Sequence, residues 1–146
     1  MIYWDTSCVI KLYAAEPDSD HWQERLAQET GPCLSSSLLQ AELAYALLQK
    51  ELRGEVRSGS AKRLLEHVER HVKQGRFELL PVGADVLEQA VALARLCYAA
   101  KPAVALRTAD GIHLATALVS GCSLVATTDQ RMMAALPMLN LTLLTP

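Results

Sequence analysis

The sequence predicts an α/β fold in which a parallel sheet is wrapped by helices. Three observations carry that expectation. Short apolar runs alternate with longer amphipathic ones, the pattern of repeated strand–helix units. The apolar runs Met1–Trp4 and Ser123–Ala126 are each followed by a cluster of hydroxyls and an acid: Asp5-Thr6-Ser7 and Thr127-Thr128-Asp129. Ligands of open α/β sheets bind just beyond the carboxyl ends of strands, where such clusters would lie. No repeat, low-complexity stretch or linker interrupts the 146 residues, so one domain spanning 1–146 is expected.

Residues 1–5 read as the first strand and Ser7–Ala15 as a short helix that ends before Glu16-Pro17. Asp18 or Ser19 caps a second helix running to about Glu29, where Gly31-Pro32 breaks it. Cys33–Ser35 is a short strand. Ser37 with Gln40 fits a capping box opening the helix LLQAELAYALLQKEL. Its apolar stripe is read as Leu38, Ala41, Tyr45, Leu48 and Leu52, with Glu42 inside it. A carboxylate on a core-facing stripe is costly unless paired or bound to a cation. After the polar turn Gly54–Gly59, Ser60–Gln74 forms an amphipathic helix closed by Gly75. Phe77–Val82 is the third strand, with Pro81 marking an end or an edge. Ala84 to about Ala100 is a long apolar helix. Thr108 caps the helix TADGIHLATALVSG, with Asp110 in its first turn, where an acid favours the helix dipole. The strand SLVA, a short helix Gln130–Leu136 and a last strand Leu139–Leu144 complete the reading.

Composition narrows the functional classes. The chain is 51% apolar and 21% charged, which suits a packed core rather than disorder. No apolar run reaches the ~20 residues that span a bilayer, and no secretory signal pattern is visible. The four cysteines, Cys8, Cys33, Cys97 and Cys122, have no C-x-x-C spacing, so a zinc site is not expected and a reduced, cytoplasmic setting is. The net charge of −2 argues against a large non-specific nucleic-acid surface. Between Lys50 and Arg76, however, eight Lys and Arg stand against four Glu, a local excess of +4 that is either a solvated face or a phosphate-contacting one.

Four acids stand out: Asp5 and Asp129 beyond strand ends, Glu42 on an apolar helix and Asp110 at a helix start. If the first and fourth strands are neighbours, Asp5 and Asp129 come together. Two carboxylates about 5 Å apart repel by roughly 3 kcal/mol at an effective dielectric of ~20. Four together need a cation or protonation, and all-oxygen donors suit Mg²⁺ or Mn²⁺. Such a site activates water and neutralises charge on a phosphodiester. At least one hydroxyl of Thr6, Ser7, Thr127 and Thr128 is expected to hydrogen-bond a carboxylate or a metal water, with capping of the following helices as the competing use. His113, one turn after Asp110, reads as a packed or hydrogen-bonded imidazole before it reads as a base. Arg131 is left open.

The stretches YWDTSCVIKLY, SSLLQAELAYAL, LRTADGIHLATAL and LVATTDQRM, in this order, resemble those of PIN-domain ribonucleases of the VapC-like kind, the toxins of bacterial toxin–antitoxin pairs. The resemblance implies a Rossmann-like, three-layer fold with about five parallel strands in the order 3-2-1-4-5. It implies that Asp5, Glu42, Asp110 and Asp129 form an acidic quartet for divalent metal. It also implies cleavage of single-stranded RNA, a homodimer and a small antitoxin partner. Two rivals remain at this level. One is a PIN-like module that binds protein without nuclease activity. The other is an aspartyl-phosphate phosphatase or phosphotransferase of the haloacid-dehalogenase type, which also begins with a strand ending in Asp. That chemistry expects a second Asp two residues on, where Ser7 stands.

Overall fold

A computed structural model describes residues 1–145. Strands β1 (Ile2–Trp4), β2 (Cys33–Ser36), β3 (Phe77–Leu80), β4 (Leu124–Ala126) and β5 (Thr142–Leu143) form one parallel sheet in the order β3-β2-β1-β4-β5. The helices are α1 (Thr6–Val9), α2 (Ser19–Ala27), α3 (Leu38–Leu52), α4 (Ser60–Lys73), α5 (Ala84–Ala99), α6 (Thr108–Val119) and α7 (Gln130–Ala135). The order is the one the resemblance implied. From the central β1 the chain builds outward to β2 and β3, then returns to build β4 and β5 on the other side. The strand order therefore reverses between β1 and β4, the crevice in which open sheets bind ligands.

Alternation along β1 divides the core into two layers. Trp4 packs edge-on to Trp22 in a cluster with Cys8, Val9, Leu39, Leu43, Leu47 and Phe77. Tyr3 faces the opposite layer with Leu93, Leu114, Val125 and Met132. All four cysteines are free and buried. Burial pushes the thiols up, that of Cys33 to about 12, so they behave as small apolar side chains. Among the described residues no helix is long and apolar enough to cross a membrane.

Several local expectations need correction. The first helix is only four residues of α-helix and tightens into a 3-10 turn at Ile10–Leu12. The last strand shrinks to two residues because Leu136–Leu139 forms another 3-10 turn. The Ser37–Gln40 capping box does not form: Ser37 is itself helical, and Ser36 Oγ accepts the Leu38 N–H instead. Thr108 is the first residue of α6 rather than its cap; Arg107 is the cap, and its N–H donates to Asp110. The largest error concerns α3. The buried stripe is Leu39, Leu43 and Leu47, whereas Tyr45, Leu48 and Leu52 are 74%, 55% and 88% exposed. This helix is apolar on two faces, and periodicity alone does not say which meets the sheet. β3 ends at Leu80, just before Pro81, and is an edge strand as expected.

A candidate active site at the carboxyl edge

Register brings the strand-end acids together. Trp4 pairs with Ala126, and the Asp5 N–H donates to the Ala126 carbonyl at 2.9 Å. Asp5 and Thr127 therefore leave the sheet side by side. Asp5 is buried, and its Oδ2 accepts from Ser7 Oγ at 2.6 Å and Thr127 Oγ1 at 3.0 Å. Ser7 Oγ in turn accepts the Thr128 N–H at 2.9 Å, and Thr127 Oγ1 accepts the Asp129 N–H at 3.1 Å. The helix caps that might have occupied these hydroxyls are supplied by the acids: Asp5 caps α1, and Asp129 caps α7 by accepting from the Arg131 and Met132 N–H groups. Thr128 contributes its backbone rather than its hydroxyl.

Glu42 reaches the same edge from α3. Its Oε2 accepts from Thr6 Oγ1 at 2.5 Å and lies 2.6 Å from His113 Nε2. His113 is fully buried, and its Nδ1 meets the Tyr3 hydroxyl at 2.6 Å; Asp5 Oδ1 lies 3.8 Å from Nε2. Burial pushes the His113 imidazole down, but the Glu42 hydrogen bond and the charges of Asp5, Glu42 and Asp110 outweigh it and hold His113 above its ordinary value. Burial likewise pushes Glu42 up, and the His113 and Thr6 bonds more than reverse this. The two directions agree on an imidazolium–carboxylate pair. Tyr3, buried and beside Asp5, keeps its proton. The chain Tyr3–His113–Glu42–Thr6 thus orients a carboxylate, as hydrogen-bonded imidazoles commonly do around acid sites.

Asp110 and Asp129 meet through a residue the sequence reading passed over. Arg107 Nε lies 3.0 Å from Asp110 Oδ2, and its Nη2 spans Asp110 Oδ1 at 3.1 Å and Asp129 Oδ2 at 2.9 Å. A signal was present: a cation at a helix N-terminus opposes the helix dipole, so Arg107 needs an acidic partner close by. Arg131 offers only its backbone N–H to the site.

All four acids are therefore linked through one network of hydroxyls, an imidazole and a guanidinium. As they stand, no three acid, His or Cys side chains among the described residues converge into a ready metal cage. Their donor set still fits a hard dication. It is all oxygen, and four oxygens have no close donor other than Arg107: Asp5 Oδ1, Glu42 Oε1, Asp110 Oδ1 and Asp129 Oδ2. The dominant cation between Asp110 and Asp129 here is Arg107.

The chain matches the PIN domain family over residues 2–136, so with this fold and this acidic edge it belongs to the PIN-domain family. It is 35% identical to Ribonuclease VapC46 of Mycobacterium tuberculosis, over 99% of this chain and 97% of that protein. Its fold is shared with a toxin–antitoxin complex from Klebsiella pneumoniae (TM-score 0.69, 17% identity, 100% of this chain and 98% of that one). It is shared equally with VapC20 of Mycobacterium tuberculosis, described as a sarcin–ricin loop cleaving toxin (TM-score 0.69, 18% identity, 92% and 95% covered).

Proposed function

We propose that this chain, acting as one PIN domain over residues 1–146, is a metal-dependent endoribonuclease and the toxin of a toxin–antitoxin pair. The observation that carries the reading is the convergence of Asp5, Glu42, Asp110 and Asp129 on one sheet edge, in a chain similar over nearly its whole length to a named ribonuclease. RNA with a single-stranded region is the substrate, a small antitoxin protein the inhibitor, a homodimer the working form and the cytoplasm the setting.

Asp5, Asp110 and Asp129 would hold Mg²⁺ or Mn²⁺, with Glu42 bound directly or through water. The ion supplies an activated water and neutralises charge on the phosphodiester. The protein's own contribution is placement. Ser7 and Thr127 fix Asp5 Oδ2 and so leave Oδ1 for a ligand. Backbone amides fix Asp129 Oδ1 in the same way. Thr6 and His113 keep Glu42 ionised. His113 is engaged on both ring nitrogens, which makes it a positioning residue rather than a proton acceptor. Arg107 and the basic stretch around α4 supply positive charge for a polyanion.

The test is cleavage of a single-stranded RNA by the purified chain with Mg²⁺ and with chelator. Asp5→Asn, its fold verified, is expected to lose at least 10²-fold in rate, on the order of the loss when one group stabilising transition-state charge is removed. Full Mg²⁺-dependent cleavage by that variant would sink the assignment.

A further inference from the structure

Arg107 bridges two carboxylates of the acidic edge itself, whereas the bridging lysines Lys11 and Lys50 pair with Glu16, Asp18 and Glu55. Its backbone is fixed, since the Tyr98 hydroxyl donates to the Leu106 carbonyl at 3.0 Å and the Gly111 N–H donates to the Arg107 carbonyl at 2.9 Å. Its side chain is 62% exposed and reaches back over the acidic edge. The two carboxylates it bridges do not depend on it for orientation. Asp110 Oδ2 also accepts the Arg107 backbone N–H, and Asp129 Oδ1 accepts two amides from α7. The other oxygens, Asp110 Oδ1 and Asp129 Oδ2, take hydrogen bonds from one atom, Arg107 Nη2. A single positively charged nitrogen about 3 Å from both oxygens stands where a cation shared by the two carboxylates has to stand.

We infer that Arg107 is a built-in competitor of the divalent ion. It neutralises Asp110 and Asp129 while the site holds no metal, and its guanidinium must leave those two oxygens before they ligate one. This rests on the metal-dependent reading above. Two partly exposed ion pairs hold the side chain, and such pairs are individually weak. The latch is therefore displaceable: it lowers metal affinity by a modest factor and does not abolish binding. Because the backbone on either side is pinned, only the side chain has to swing. Arg suits this role better than Lys, since its planar fork engages Asp110 through Nε while Nη2 bridges onward.

The experiment is calorimetric titration of the full chain with Mn²⁺ at fixed low ionic strength, for the native sequence, Arg107→Gln and Arg107→Lys. Arg107→Gln is expected to bind Mn²⁺ about 3- to 10-fold more tightly, the worth of one or two exposed ion pairs. Arg107→Lys, which keeps the charge without the fork, falls between the two. Arg107→Gln binding Mn²⁺ as weakly as the native chain, or more weakly, overturns the inference, as does Arg107→Lys binding more tightly than Arg107→Gln. Absence of Mn²⁺ binding in all three is a separate outcome: it removes the metal reading itself, and this inference with it.

Discussion

On the β1 side of the acidic edge, Asp5 and Glu42 are held by neutral hydroxyls and a buried imidazole. On the β4 side, Asp110 and Asp129 are held by backbone amides and an exposed guanidinium. The first half is made of groups that have nowhere else to go. Tyr3, His113 and Thr127 are buried, and removing one of them strands a polar partner away from water. In the second half the amides set the orientation, and only the two outward oxygens are met by a side chain with solvent on one side. Four acids on one sheet edge are therefore not one electrostatic object: one pair is preset by the fold, the other is left adjustable.

This contrast is open to direct attack. The largest effect is expected from His113→Leu, which removes one member of a buried charged pair and orphans the Tyr3 hydroxyl. A loss of about 2–4 kcal/mol is expected, discounted from fully buried pairs because Glu42 is part-exposed. Denaturant unfolding measures it; a loss under about 1 kcal/mol would erase the distinction between the halves. Thr127→Val is next. It leaves buried Asp5 short of one donor and the Asp129 N–H without its acceptor, for roughly 1–2 kcal/mol.

The pH profile sharpens the same point in chelated, metal-free protein. The folded value of His113 lies above its ordinary 6.5, so its contribution is full below that pH and is lost as pH rises through the folded value. Glu42 lies below its ordinary 4.5, so its contribution is full above that pH and is lost as pH falls through the folded value. The melting-temperature gap between the native chain and His113→Leu is expected to be widest between pH 4.5 and 6.5 and to narrow on both sides. The smallest effect belongs to the other half: Arg107→Gln is expected to change metal-free stability by less than about 1 kcal/mol, as exposed ion pairs do. A change as large as that of His113→Leu would make the two halves alike.

The β1 half was largely legible in the sequence because its logic is local. An acid after an apolar strand, with hydroxyls beside it, is already a site in outline, and the fourth strand repeats it. The contacts that complete the site are not local. Tyr3 reads as one more apolar strand residue until α6 brings His113 against it, 110 positions away. Glu42, an acid on an apolar helix, does reach the carboxyl edge, but not through the expected stripe: Leu38, Tyr45 and Leu48 repeat as well as Leu39, Leu43 and Leu47. Only packing against the sheet distinguishes the two faces. Helix caps misled for a related reason. Ser37 and Thr108 have the right chemistry, yet Ser37 stands at the cap position of α3 without making the bond, and α6 begins one residue before Thr108 could cap it.

The central position of β1 also has a consequence for synthesis. Asp5 depends on Thr127, 122 residues later, for one of its hydrogen bonds, and β1 depends on β4 for one of its two edges. At ribosomal rates of about 5–20 residues per second, the first strand waits roughly 6–25 s for that neighbour. Contacts of such long range also fold slowly. For the ribonuclease activity proposed above this order of events matters, because the chain is made on RNA by a machine built of RNA. The topology that unites the acids in the finished molecule keeps them apart until β4 has been made.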